Sequence, residues 1–420
     1  MSGAEKSNPP AGQRAAFFRQ SGWLMIATVL GGGLMWAVHF LAKRVPASEY
    51  GLFGVMLAVA ACVPILPLQM VFAQQTAKAR VLGRERDVAG MLRWATLATL
   101  LLAGLLALIV FIWQAPMESA LKMSHPTVLW IMVGVIFFSV WLPILSGVMQ
   151  GLQNFLWLGW VAIINALGRF TGAAGLVLIA GWWSAGMVTG IGLGVAAGVG
   201  LCLWQTRSIW RLPAQAFDTR AVLGHIIPLL LGFGAVQFLF TADTIFVKVF
   251  FTSDETGFYV GAGTLSRALL WLVLPMATVM FPKIVQSAAR SEKNNLVWVV
   301  MAGTVILAAC GAIGLTVLRS WVIRFVFEEE YVKVGAAVLP WYAWAMVPLS
   351  LAIVLANNLL ARGQFRVVPV LVVLAIAYGF TLGHCHSSLI SVLQILGGYN
   401  LLLLAVCGWF TWRSQPGKPS

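Results

Sequence analysis

The chain has 420 residues, 60% of them hydrophobic and 10% charged, with a formal net charge of +14. That composition excludes a soluble globular protein, and gaps of about 17 residues at most between apolar stretches leave no room for a sizeable extramembrane domain. The positive charge does not point to nucleic acid either, because it alternates along the chain as membrane topology does.

Residues 1–20 are polar and read as disordered. The apolar run that follows has no small-residue cleavage signature, so it reads as a first transmembrane helix and not as a removed signal peptide. A helix crosses the hydrocarbon in about 20 residues. Twelve spans are predicted on that basis: 22–42, 51–73, 92–113, 127–149, 155–180, 182–204, 223–247, 258–281, 296–318, 336–360, 367–383 and 388–411. With the N-terminus in the cytoplasm, the inside segments hold eighteen Lys and Arg and the outside segments seven. The excess of basic residues inside places both termini in the cytoplasm. Tryptophans such as Trp23, Trp113, Trp204, Trp321 and Trp412 fall near span ends, where an aromatic belt meets the headgroups.

In the sixth span Gly186, Gly190, Gly194 and Gly198 recur at intervals of four. They form a ridge that lets a neighbouring helix approach closely. A nucleotide-binding loop would need a strand before it and a helix after it, and no GxxxxGK(S/T) run occurs. The five cysteines form no disulfide framework. His384-Cys385-His386 has no further ligand cluster nearby and reads as a short loop, so no metal and no cofactor is expected.

The chain repeats itself. Glu49-Tyr50-Gly51-Leu52-Phe53 opens the second span and Glu255-Thr256-Gly257-Phe258-Tyr259 opens the eighth. Gly151-Leu152-Gln153 follows the fourth span and Gly363-Gln364-Phe365 follows the tenth. The expected architecture is therefore all-α, about twelve transmembrane helices in two six-helix bundles, residues 1–215 and 216–420. The two are parallel repeats about an axis along the membrane normal, with cargo held between them near mid-membrane.

Three charges fall deep inside spans: Arg169, Asp243 and Arg267. A charge at the bilayer centre costs about 2.5–3.5 kcal/mol on insertion scales, so such residues face a hydrated path or a partner. Two cations to one acid suit an anionic cargo, and an arginine can grip a phosphate with two parallel bonds. Asn165 lies one turn before Arg169, and Thr264 and Trp271 flank Arg267 at helical spacing. Trp271 offers a face for a sugar, or packs in the core. Asp243 is the one carboxylate within a span and the candidate for coupling to protons or sodium; the alternative is that it pairs with Arg267 or Lys248. His39 is the other titratable group at depth and is expected to pack.

The stretch from Asp243-Thr244-Ile245-Phe246 through Gly257-Phe258-Tyr259 to Leu274-Pro275 and Phe281-Pro282 resembles the Wzx-type polysaccharide flippases of the multidrug/oligosaccharidyl-lipid/polysaccharide (MOP) exporter superfamily. Val326-Phe327-Glu328-Glu329-Glu330-Tyr331 and Val148-Met149-Gln150-Gly151-Leu152-Gln153 are similar to it too. Here Phe258 follows the glycine directly, a small departure. The resemblance implies a secondary transporter, not an enzyme, in the bacterial inner membrane. Its cargo would be an undecaprenyl-diphosphate-linked oligosaccharide, moved to the periplasmic leaflet for O-antigen, capsule or exopolysaccharide synthesis. Membrane lipids, a polysaccharide polymerase and a chain-length regulator are the partners it brings into view. On this reading Arg169, Arg267, Asn165 and Trp271 line the cargo path and Asp243 couples an ion. A drug or cation antiporter of the same superfamily would line its cavity with acids instead. A membrane glycosyltransferase or glycan ligase would need a larger extramembrane surface.

Overall fold

The computed structural model describes residues 11–123, 126–215, 217–270 and 296–413, and among them there is no strand. In chain order the helices are α1 (Ala11–Ala37, continued by a 3-10 helix Val38–Arg44), α2 (Ala47–Ala61), α3 (Ile65–Val81), α4 (Glu85–Ala120), α5 (Thr127–Gly151), α6 (Phe155–Leu178) and α7 (Trp183–Arg211). The second half follows with α8 (Thr219–Phe250), α9 over 253–270, α10 (Leu296–Val317), α11 (Arg319–Val326), α12 (Glu330–Ala361), α13 (Val368–His384) and α14 (Leu389–Arg413). Among the described residues ten segments are long and apolar enough to cross a membrane, and α10 with α11, bent by 84°, makes an eleventh if the pair is one span. The eighth predicted span begins as α9, and its second half lies outside the described residues. The twelve predicted spans thus keep their order.

Three boundaries differ from expectation. Residues 11–20 are helical, not disordered. Ala, Gln and Arg there are strong helix formers, and extending an existing helix avoids the cost of nucleation. The second span is broken between α2 and α3, because Pro64 has no N–H to donate and forces the residue before it out of helical geometry. The broken end is satisfied from the second half of the chain: Gln237 Nε2 donates to the Ala61 carbonyl at 3.0 Å. Finally, the segments between spans are largely helical. Only Leu82–Arg84 separates α3 from α4. Glu85 and Asp87 in the first turn of α4 favour starting the helix there, outside the apolar run.

Most packing lies within each half. In the first, α6 packs on α1 and α7, and α5 packs on α3 and α7; in the second, α12 packs on α10 and α14, and α8 packs on α13. The glycine ridge of α7 does what its spacing predicts. A methyl on Gly190 would lie 2.5 Å from the Ala173 nitrogen, and one on Gly194 would lie 2.6 Å from the Arg169 nitrogen. The ridge therefore draws the α6 backbone close where it carries Arg169.

The halves meet along α2 and α3 against α8, and along α2 against α9. The two copies of the sequence repeat face each other there: a methyl on Gly51 would lie 2.8 Å from the nitrogen of Gly257, its repeat partner. Equivalent residues touching each other mark the local axis that relates the halves. Aromatic rings also meet across the halves at this end: Tyr50 and Phe327, both buried, have ring centroids 5.5 Å apart, and the exposed Phe40 and Phe325 lie at 5.9 Å. On the orientation expected from the charge asymmetry of the sequence, this end faces outside.

Candidate functional site

The second half gathers Asp243, Arg267 and three tyrosines into one buried cluster. Phe240, Asp243 and Thr244 share a face of α8, being three and four residues apart. Arg267 on α9 reaches that face, and its Nη2 donates to Asp243 Oδ1 at 2.8 Å, to Thr244 Oγ1 at 3.0 Å and to the Phe240 carbonyl at 3.1 Å. The other carboxylate oxygen, Oδ2, accepts from the Tyr259 hydroxyl at 2.8 Å and from the Tyr342 hydroxyl. The guanidinium also lies over the Phe240 and Tyr342 rings, 5.2 and 5.4 Å from their centroids. Asp243 is fully buried, whereas the Arg267 side chain keeps 18% of its surface exposed.

Arg267 and Asp243 are therefore one ion pair and not two independent features. Of the two partners the sequence allowed Asp243, Arg267 is the one it has. Lys248 instead donates to Ser253 Oγ at 3.1 Å, in the turn between α8 and α9.

The first half presents a different picture. Asn165 and Arg169 stand one turn apart near the middle of α6. Arg169 has no ion pair among the described residues. Its Nε has no acceptor, and Asn165 Oδ1 has no donor, although both atoms are buried. His39 lies within electrostatic reach of Arg169. Its Nδ1 bonds the Tyr50 hydroxyl at 2.8 Å, which in turn reaches Thr264 Oγ1 on α9 at 3.3 Å. This short polar chain crosses between the halves one turn from Arg267. Trp271 lies outside the described residues.

Tyr342 and Tyr378 were missed from the sequence, where Tyr50, Tyr259 and Tyr331 entered only as motif residues. A signal was there. The chain has only six tyrosines, and Tyr50, Tyr259, Tyr331, Tyr342 and Tyr378 are all 1% exposed or less. A buried tyrosine hydroxyl seeks a partner, so tyrosines inside apolar spans point to a polar site.

No protein-family model matches the chain, and no curated protein matches it by sequence. Solved structures do match in fold. An inward-facing multidrug-resistance MATE transporter of the MOP superfamily superposes with a TM-score of 0.72 at 11% identity, covering 92% of this chain and 94% of that one. The lipid II flippase MurJ, in an inward closed conformation, gives 0.69 at 14% identity, covering 93% and 87%. A eukaryotic MATE transporter, AtDTX14, gives 0.64 at 12% identity, covering 95% and 97%. The class is thereby defined: an all-α, multi-pass membrane protein with the two-repeat, twelve-helix fold that these transporters share.

Proposed function

We propose that the chain is a secondary transporter that flips an undecaprenyl-diphosphate-linked oligosaccharide from the cytoplasmic to the periplasmic leaflet of the bacterial inner membrane. It would serve surface-polysaccharide synthesis, beside a polymerase and a chain-length regulator. The fold it shares with MATE transporters and MurJ supports transport. The observation that carries the choice of cargo is Arg169, a cation at bilayer depth whose charge no acidic side chain among the described residues offsets. Asn165 stands beside it with a free carbonyl oxygen. Together they offer charge to a diphosphate and a polar contact to the head group. Arg267 contributes no net charge while Asp243 holds it, so the anion site centres on the first half.

A drug or cation antiporter is the rival. It needs an open acid, and the one carboxylate within a span is covered by Arg267, Tyr259 and Tyr342. The closed end at Gly51 and Gly257 fits a carrier whose halves part alternately at either face. The test is reconstitution. In proteoliposomes, wild-type protein should move a fluorescent polyprenyl-diphosphate sugar between leaflets, and Arg169→Ala should not. Efflux of cationic dyes with no lipid flipping would establish the rival instead.

A further inference from the structure

We infer that Arg267 is a tethered counter-cation: its Nη2 nitrogen fills an oxygen seat on α8 that would otherwise take a free monovalent cation or a proton. Three oxygens of one helical turn converge on that nitrogen, a carboxylate at 2.8 Å, a hydroxyl at 3.0 Å and a main-chain carbonyl at 3.1 Å. Oxygens of these three kinds are what a hard cation gathers. A guanidinium NH2 has two hydrogens, so three acceptors outnumber what it can donate. One hydrogen is therefore shared between two acceptors, and the positive charge sits among all three oxygens.

The rest of the cluster closes the carboxylate to a second cation. Oδ2 of Asp243 already accepts two tyrosine hydroxyls, from Tyr259 on α9 and Tyr342 on α12. Among the described residues, the other groups around it add no acid. On α13, Tyr378 approaches with a hydroxyl that has no partner. On α2, Cys62 bonds Thr241 at 3.3 Å, and on α8 itself Lys248 turns away to Ser253. Asp243 has no exposed surface, while the Arg267 side chain keeps 18% of its own.

The consequence is that the second half carries its own neutralising charge through every state of the cycle. It needs no ion from either side to move without cargo. That consequence for transport rests on the flippase reading; the filled seat does not, and its test uses no glycan lipid. Purified full-length protein in detergent is melted in sodium, lithium, potassium or choline chloride at matched ionic strength, and across a pH series in choline.

Wild type should melt at the same temperature in all four salts. Arg267→Gln empties the seat, so its melting temperature should rise with one of the alkali cations or with acid. It should also gain saturable binding of that cation, or uptake of a proton. Asp243→Asn/Arg267→Gln should lose the gain while remaining folded, since neither partner is then left charged alone. An alkali-specific rise in the wild-type melting temperature would overturn the proposal. So would a folded Arg267→Gln protein as indifferent to every cation as wild type. Should Arg267→Gln not fold in choline, its recovery in folded form in sodium, lithium, potassium or acid reads the same seat, and failure to recover in all of them would overturn the proposal. Flipping that fails in proteoliposomes while these melts behave as stated would sink the transport reading and leave the filled seat standing.

Discussion

Each half of the molecule carries an arginine within an apolar helix, and the two differ in their ion pairing. Arg267 is closed on Asp243, Thr244 and the Phe240 carbonyl, while Arg169 sits on a helix pressed against glycines, without an ion pair among the described residues. The same side chain is held in an ion pair in one half and has none among the described residues in the other. A charge inside a membrane is evidence of function only after its partner has been sought. The pairing, and not the depth, separates the two.

The sharpest way to break this contrast is to remove the acid. Asp243→Ala leaves a buried guanidinium alone and should lower stability by about 3–5 kcal/mol, read as a large fall in melting temperature. Arg169→Ala should change stability little or raise it, because it removes a charge that has no ion pair among the described residues. Equal losses in the two variants would show that Arg169 has a structural partner after all.

Next in size is the glycine ridge that holds Arg169. Gly190→Leu must push α6 away from α7, because even a methyl meets the Ala173 backbone at 2.5 Å. Overpacking of this kind costs about 1–3 kcal/mol, and flipping should fall with it. The same substitution at Gly200, where nothing lies within 4 Å, should be silent in both assays.

Smaller again are the hydroxyls of the second half. Tyr342→Phe deletes a hydrogen bond to a carboxylate and should cost about 1.5 kcal/mol. Tyr378→Phe removes a buried hydroxyl that has no partner and should be neutral or stabilising. Melting curves of the pair separate them. If they behave alike, the carboxylate is not organised as described.

Gly257→Ala acts on the seam between the halves and should shift the balance of states. An added methyl meets the Ala47 carbonyl and carbon, the latter at 2.6 Å, so the closed end should spread. Labelling of a cysteine placed at Phe327, buried behind Tyr50, should then speed up.

Much of the fold was legible because a membrane forces it to be. Runs of about 20 apolar residues have one stable outcome, and the four-residue spacing of Gly186, Gly190, Gly194 and Gly198 left little choice about close packing. The repeat at Gly51 and Gly257 showed that the halves are related, and the structure adds that these residues meet. What stayed hidden was set by distance along the chain. Asp243 and Tyr342 are far apart in sequence, and no local pattern says that α12 delivers a hydroxyl to α8. Whether Asp243 pairs with Arg267 or with Lys248 was likewise open, since helical spacing alone permits either. Helix ends were misplaced because hydropathy marks where the lipid ends, whereas the hydrogen-bonded helices continue past it: α3 runs on to Val81 and α4 already begins at Glu85.

The account stands or falls on Arg169 being the charge that meets the cargo. The direct measurement is equilibrium binding of a fluorescent polyprenyl-diphosphate sugar to purified protein, comparing wild type with Arg169→Gln at matched folding. Loss of one charge-assisted phosphate contact should weaken binding at least about tenfold, or 1.4 kcal/mol, with the melting temperature unchanged. Arg169→Gln protein that binds the lipid as tightly as wild type would contradict the account.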